Sequence, residues 1–329
     1  MYVHCGYPKT ATTMLQKWVF PGIEGVVYIG RTYTEAGRSL AESRVMSGIR
    51  YQGSPFGSEA FNSGCESLRS LAGTGRKAFV SLEGILAQCL VPKPSYGFSD
   101  VVAHAPSHCD ALQHVKNFAI GAGFDRVMPI VTLRNQDELL TSFFAEGYMD
   151  RYSRIPDIDT FDKFIDVLLS PVGCVDSSAV DYCSLERDLA DIFGDGNYLF
   201  LLFDWIKSDP LVFASRLADF MNVSASHIST LLAGANPENV RRGEGSRSQI
   251  KVRRKNARYY LERAKNILAP NMSLGLGRKI GPLLAKLEYG PETLIPQDYD
   301  LTRVRDFYRA SNMEFVRCHT EFLSLVESR

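Results

Sequence analysis

The sequence predicts a three-layer α/β fold: a central parallel sheet flanked by helices, with a mainly helical C-terminal third. Three observations lead there. Short β-type runs alternate with helix-length amphipathic runs as far as residue 206, the pattern of parallel strands joined by crossover helices. The strand runs are continuously apolar, as strands covered on both faces are. The first run also passes straight into a helical pattern through Gly6-Tyr7-Pro8-Lys9-Thr10-Ala11-Thr12-Thr13.

In order along the chain, the expected strands are YVHC (2–5), VVYIG (26–30), KAFVSLEG (77–84), VMPIVTLR (127–134) and NYLFLLFDW (197–205). Helical spacing of apolar residues falls around 110–121, 136–148, 160–170 and 181–193. Beyond residue 206 the pattern is mostly helical. Ser208 or Asp209 stands as an N-cap, with Pro210 in the first turn. RRGEGSRS (241–248) reads as a loop. The basic run KVRRKNARYYLERAK (251–265) reads as a solvated helix face, and a long helix is expected near 301–327. No repeat or low-complexity segment interrupts this order. The expected organisation is one domain over 1–329, with an α/β core over 1–206 and a helical part over 207–329.

Composition narrows the function classes. Of 329 residues, 45% are hydrophobic and 22% charged, which suits a globular chain with a sizeable core. Lys plus Arg (37) balance Asp plus Glu (37), so no global positive field draws in nucleic acid or an anionic membrane. The first strand starts at Tyr2, leaving no room for a signal peptide. No apolar run approaches the roughly 20 residues that span a bilayer. The seven cysteines are scattered without a Cys-x-x-Cys, so they read as reduced, mostly buried thiols in a cytoplasmic protein. The six histidines form no metal-binding cluster, and no metal is expected.

Strand, tight loop and helix is a geometry that binds phosphate. Unpaired backbone N–H groups and the helix dipole favour an anion at the helix start. Lys9 adds a charge, Thr10, Thr12 and Thr13 add hydroxyl donors, and Pro8 stiffens the entry. The nucleotide-triphosphate loop has the form G-x-x-x-x-G-K-[ST]. Here Gly6 lies only three residues before Lys9, and no Gly precedes the Lys directly.

At these residues the chain resembles the sulfotransferase family, whose 5′-phosphosulfate loop, G-x-P-K-[ST]-G-[ST]-[ST], follows the first strand. The resemblance implies a P-loop-like fold and a donor, 3′-phosphoadenosine 5′-phosphosulfate (PAPS). It implies that Pro8, Lys9, Thr10, Ala11, Thr12 and Thr13 hold the phosphosulfate, with Lys9 on the bridging oxygen of the leaving nucleotide. One residue departs: Ala11 stands where the family usually has Gly. Ala disfavours φ > 0, so a left-handed backbone there would strain or shift the loop.

A second family motif is an Arg ending a central strand and a Ser eight residues on, both holding the donor's 3′-phosphate. Arg134 and Ser142 have that spacing, and a guanidinium fork suits phosphate. A third element, an Arg-Lys-Gly loop, is similar to Arg241-Arg242-Gly243. NYLFLLFDWIKSDPLVFASRLADFMNVS and RDFYRASNMEF also resemble family segments that carry no chemistry. The matches run from residue 5 to about 315.

The remaining role is a base for the acceptor proton. Ser81-Leu82-Glu83-Gly84 is similar to the Ser-x-Glu strand end of bacterial and carbohydrate members, which makes Glu83 the candidate. A carboxylate at the carboxyl end of a parallel strand faces the ligand crevice. His104, His108 and His114 are rival bases, each read more simply as surface or structural. Arg31, after the second strand, is a minor candidate for acceptor contact. The implied acceptor is a hydroxyl on a carbohydrate, glycolipid or small metabolite, and the Glu favours carbohydrate by analogy. Two alternatives stay open. A P-loop kinase or NTPase would use Asp204, at the end of YLFLLFD, to hold magnesium. A non-catalytic nucleotide-binding protein would have Ala11 as its lesion.

Overall fold

The computed structural model describes residues 1–8, 10–30, 39–50, 58–73, 75, 77–90, 105–147, 158–170, 175–235, 255–256, 288–289 and 298–326. Its described residues fall into two compact units. The first is Met1–Leu139, Leu168–Arg242 and Val304–Arg329; the second is Leu140–Val167 and Gly243–Arg303.

The first unit carries the predicted sheet. β1 (Tyr2–His4), β2 (Val26–Ile29), β3 (Lys77–Ser81), β4 (Met128–Leu133) and β5 (Leu199–Leu202) pair in the order β2-β3-β1-β4-β5. Every pairing among them is parallel. Each strand is a residue or more shorter than its apolar run. The run ends instead turn out of the sheet: Leu82 and Glu83 lead into α4 (Gly84–Ala87), and Trp205 opens α9 (Trp205–Ser208). The strand centres are buried, with Val3, Phe79, Val80, Ile130, Val131 and Leu201 wholly out of water.

Pro129 sits inside a strand that has neighbours on both sides. Met128 N–H donates to the Met1 carbonyl at 2.8 Å, so alternate residues of β4 face β1. Position 129 therefore faces β5, and that pairing begins only at Ile130 with Leu199. The missing N–H of Pro129 leaves no rung empty.

The flanking helices follow capping chemistry. α1 (Thr12–Met14) widens into a π-helical stretch, Leu15–Val19, and closes with a 3₁₀ turn at Phe20–Gly22. α2 (Leu40–Gly48) opens on a capping box, with Ser39 N–H donating to Glu42 Oε2 at 2.7 Å and Glu42 N–H to Ser39 Oγ at 3.2 Å. Ser58 caps α3 (Glu59–Ala72) and Ser107 caps α5 (His108–Gly121). α2 and α3 cross where glycine meets backbone. A Cβ on Gly48 would lie 2.8 Å from the Ala60 carbonyl, and one on Gly64 would lie 2.9 Å from the Arg44 carbonyl.

Further along are α6 (Gln136–Gly147), α7 (Phe161–Leu169), α8 (Tyr182–Phe193), α10 (Pro210–Met221) and α11 (Ala225–Gly234). Of the two caps expected for α10, Asp209 is the one used, accepting from Val212 N–H at 3.2 Å with Pro210 at the first helical position. The last helix, α12 (Asp298–Cys318), ends at His319, whose φ of −133° breaks it before a 3₁₀ turn, Thr320–Leu325. Within the first unit α12 is keyed to the core by a reciprocal buried amide pair. Gln136 Nε2 donates to Asn312 Oδ1 at 2.7 Å, and Asn312 Nδ2 returns a bond to Gln136 Oε1 at 3.0 Å. Tyr308 Oη adds a bond to the Ser177 carbonyl at 3.0 Å.

In the second unit, the rings of Phe144, Phe161 and Phe164 cluster in edge-on and tilted contacts with centroids 5.2–6.3 Å apart, and Arg303 pairs with Asp166 at 2.6 Å. A short antiparallel pair, β6 (Lys255–Asn256) with β7 (Glu288–Tyr289), also lies here. This corrects the basic run expected as a helix over 251–265: at 255–256 cross-strand pairing overrides helical propensity. The rest of that run lies outside the described residues.

The cysteines need a second correction. Six are described as free thiols, but only Cys5, Cys65 and Cys89 are buried, while Cys109 and Cys318 are exposed. Those two sit on the solvent sides of α5 and α12, which a spacing argument cannot see. Among the described residues no helix is long and apolar enough to cross a membrane.

Candidate functional site

The sheet order puts three strand exits side by side. β1 is central, with His4 opposite Ser81 on one side and Ile130 on the other. The His4 carbonyl accepts from Leu82 N–H at 2.9 Å, and Cys5 N–H donates to the Ile130 carbonyl at 3.1 Å. The segments leaving β1, β3 and β4 therefore open at one carboxyl edge, about 4.8 Å apart from strand to strand. That edge is where open α/β sheets bind ligands. Gly6, Glu83 and Arg134 all stand on it.

The loop after β1 is held from inside. Gly6 has no room for a side chain, since a Cβ would lie 3.0 Å from His4 Nε2 and 3.2 Å from the Thr132 amide nitrogen. Tyr7 is fully buried and its hydroxyl bonds to the Ala179 carbonyl. Pro8 is half-buried in the turn, and Lys9 lies outside the described residues. Thr10 is buried and turns inward, its hydroxyl donating to the Tyr7 carbonyl at 2.7 Å. Ala11 caps α1 with φ 58° and ψ 18°, in the left-handed region, without a side-chain cap bond. The position that resembles a family glycine thus has the backbone a glycine would favour. The alanine keeps that shape at a cost of about 1–2 kcal/mol.

Thr12 joins the loop to the candidate base. Its hydroxyl donates to Glu83 Oε2, so the start of α1 and the end of β3 meet through side chains 71 residues apart. Glu83 is half-buried. Thr13, also half-buried, follows on the same turn.

Beneath the loop lies a polar layer that the sequence reading missed. Ser81 Oγ lies 2.9 Å from His4 Nδ1 and accepts from Gln16 Nε2 at 3.0 Å. All three residues are buried. Burial pushes the His4 pKa down to about 3, so the ring is neutral at working pH. Its Nε2, Gln16 Oε1 and Thr132 Oγ1 are buried atoms with no hydrogen-bond partner among the described residues. The available signal was the presence of His and Ser inside otherwise apolar strands that flank the loop.

Two of the rival histidines are described and carry structural bonds. His114 Nε2 lies 2.8 Å from the Gly48 carbonyl, and burial lowers its pKa although that bond raises it. His108 bridges α5 to the core, with Nδ1 2.8 Å from Asp176 and Nε2 2.6 Å from Asp188. Burial pushes its pKa down, but the bond and charge of Asp176 and the charge of Asp188 outweigh this and leave it raised. His104 and Arg31 lie outside the described residues.

Arg134 stands at the end of β4, half-buried, with its backbone N–H 3.4 Å from the Tyr182 hydroxyl. Its guanidinium bonds Glu138 Oε2 through Nε at 3.1 Å and Nη2 at 2.9 Å, and lies 4.8 Å from the Phe203 ring centroid. Ser142 is on α6, in the segment assigned to the second unit. Arg241, Arg242 and Gly243 lie outside the described residues. Asp204 follows β5, which is separated from β1 by β4. Among the described residues no group of His, Cys, Asp or Glu is arranged to hold a metal ion.

No family model matches this sequence, and no curated protein matches it. Solved structures similar to the chain include two sulfotransferases. One is a sulfotransferase from Alicyclobacillus acidocaldarius, 14% identical, with 68% of this chain and 81% of that chain covered and a TM-score of 0.37. The other is the mouse sulfotransferase SULT7A1 complexed with PAP, 12% identical, with a TM-score of 0.38; the match covers 71% of this chain and 64% of the mouse chain.

Proposed function

We propose that this chain moves a sulfuryl group from PAPS to an acceptor hydroxyl on a carbohydrate, glycolipid or small metabolite. The observation that carries the reading is the contact between Thr12 and Glu83. It sets a carboxylate directly beside a phosphate-type loop, where the acceptor proton of an in-line transfer would be taken up.

In this reading the loop residues 8–13 bind the 5′-phosphosulfate. The acceptor oxygen attacks sulfur, its proton passes to Glu83, and the bond from sulfur to the bridging 5′-phosphate oxygen breaks. Lys9 neutralises the charge that develops on that oxygen. Holding donor and acceptor in line supplies most of the remaining acceleration. Arg134, Ser142 and the Arg241-Arg242-Gly243 loop receive the 3′-phosphate, a group absent from nucleoside triphosphates. No metal has a role, and the cytoplasm is the expected location.

The kinase or NTPase alternative is disfavoured by the loop itself, in which Pro8 and not Gly precedes Lys9. The reading is tested by thermal shift with 3′,5′-adenosine bisphosphate (PAP) against ATP with magnesium. PAP alone is expected to raise Tm. Stabilisation by magnesium-ATP with none by PAP would overturn the reading.

A further inference from the structure

Arg134 is held on every side the structure describes. The Tyr182 hydroxyl bonds its backbone carbonyl and lies 3.4 Å from its backbone nitrogen. Its guanidinium carbon lies 4.8 Å from the Phe203 ring centroid. One edge of the fork, Nε and Nη2, is taken by a single oxygen of Glu138, one helical turn along. A long side chain with four rotatable bonds is thereby restrained. The two contacts restrict the rotamers of a side chain whose planar fork of donors suits phosphate.

We propose that Glu138 and Phe203 are positioning residues that pre-organise Arg134 for the donor's 3′-phosphate. The inference rests on the sulfotransferase reading, which makes Arg134 a phosphate ligand. Glu138 touches no substrate in this scheme. It removes the ordering cost that a mobile Arg would otherwise take from the binding energy. A carboxylate so near an anion site also repels the anion, so the proposal commits to a sign: positioning outweighs repulsion.

Calorimetric titration of PAP and of adenosine 5′-phosphate decides the matter, because the ratio of their Kd values isolates the 3′-phosphate. Wild type is expected to prefer PAP. Glu138→Ala should cut that preference by about 3- to 10-fold, with the Kd for adenosine 5′-phosphate unchanged. Glu138→Gln, which keeps one acceptor oxygen, should recover part of the loss. Glu138 is half-exposed on the first turn of α6, so both variants are expected to fold. A preference that is unchanged or increased in Glu138→Ala overturns the proposal and makes the carboxylate a bystander or a competitor. A wild type that does not distinguish the two nucleotides overturns the Arg134 assignment itself, and the proposal with it.

Discussion

Replacing Ala11 by glycine should stabilise the protein, although it removes a methyl group from the most constrained loop of the site. Ala11 holds φ 58° and ψ 18°, where an L-residue with a Cβ is disfavoured by about 1–2 kcal/mol relative to the right-handed region. Glycine escapes that cost. It also gives the unfolded chain more freedom, which takes back about 0.4–1 kcal/mol. No side-chain cap bond is lost, because Ala11 makes none. The net gain is about 0.5–1 kcal/mol, or roughly 1 °C in Tm for a chain of this length. Urea unfolding of wild type and Ala11→Gly measures it, with Ala11→Val as the opposite control, since a β-branched residue is an outlier in this region. If Ala11→Gly is less stable than wild type, or Ala11→Val is equally stable, the left-handed loop is wrong.

Other outcomes follow from the same geometry. Glu83→Gln should lower kcat by about 10²–10⁴ while PAP binding is kept; near wild-type turnover would move the base to another group. The His108 clamp gives a pH signature. Its pKa is raised in the folded state, so its contribution is full below the unfolded value near 6.5 and is lost as pH rises through the folded value. Asp176 is lowered, because the bonds from His108 and Ser178 outweigh the upward push of burial. Its share is present above about 3.8 and is lost as pH falls through the folded value. His108→Asn should therefore remove stability at pH 6 more than at pH 8.5, measured by urea midpoints, and equal losses at both would refute the clamp.

The strands were legible because parallel strands buried on both faces must be apolar throughout, and β1, β3 and β4 have sequences that can be little else. The crossover between β2 and β3 was not legible. α2 and α3 approach through Gly48 and Gly64, where any side chain would strike backbone, and glycines inside a helix weaken its sequence signal. Leu40, exposed at the start of α2, blurs the amphipathic pattern further. Around the loop, Glu83 and Arg134, the strand ends were readable from their apolar runs, while the roles proposed for these residues come from the family resemblance. The contacts that join them were out of reach. Ser81 lies 77 residues from His4, and Phe203 reaches Arg134 only because β5 pairs with β4. Register, not sequence spacing, makes those neighbours. The left-handed Ala11 could be anticipated from the pattern it departs from, but its conformation is a property of the folded loop.

The central claim is sulfuryl transfer by a loop built around Lys9. The direct measurement is transfer of labelled sulfuryl from PAPS to a panel of sugar and small-molecule hydroxyls without added metal, for wild type and Lys9→Ala. The account predicts labelled product and PAP from wild type, with kcat lower by about 10²–10³ in a folded Lys9→Ala protein. Equal turnover by Lys9→Ala, or turnover that requires ATP and magnesium instead of PAPS, would contradict it.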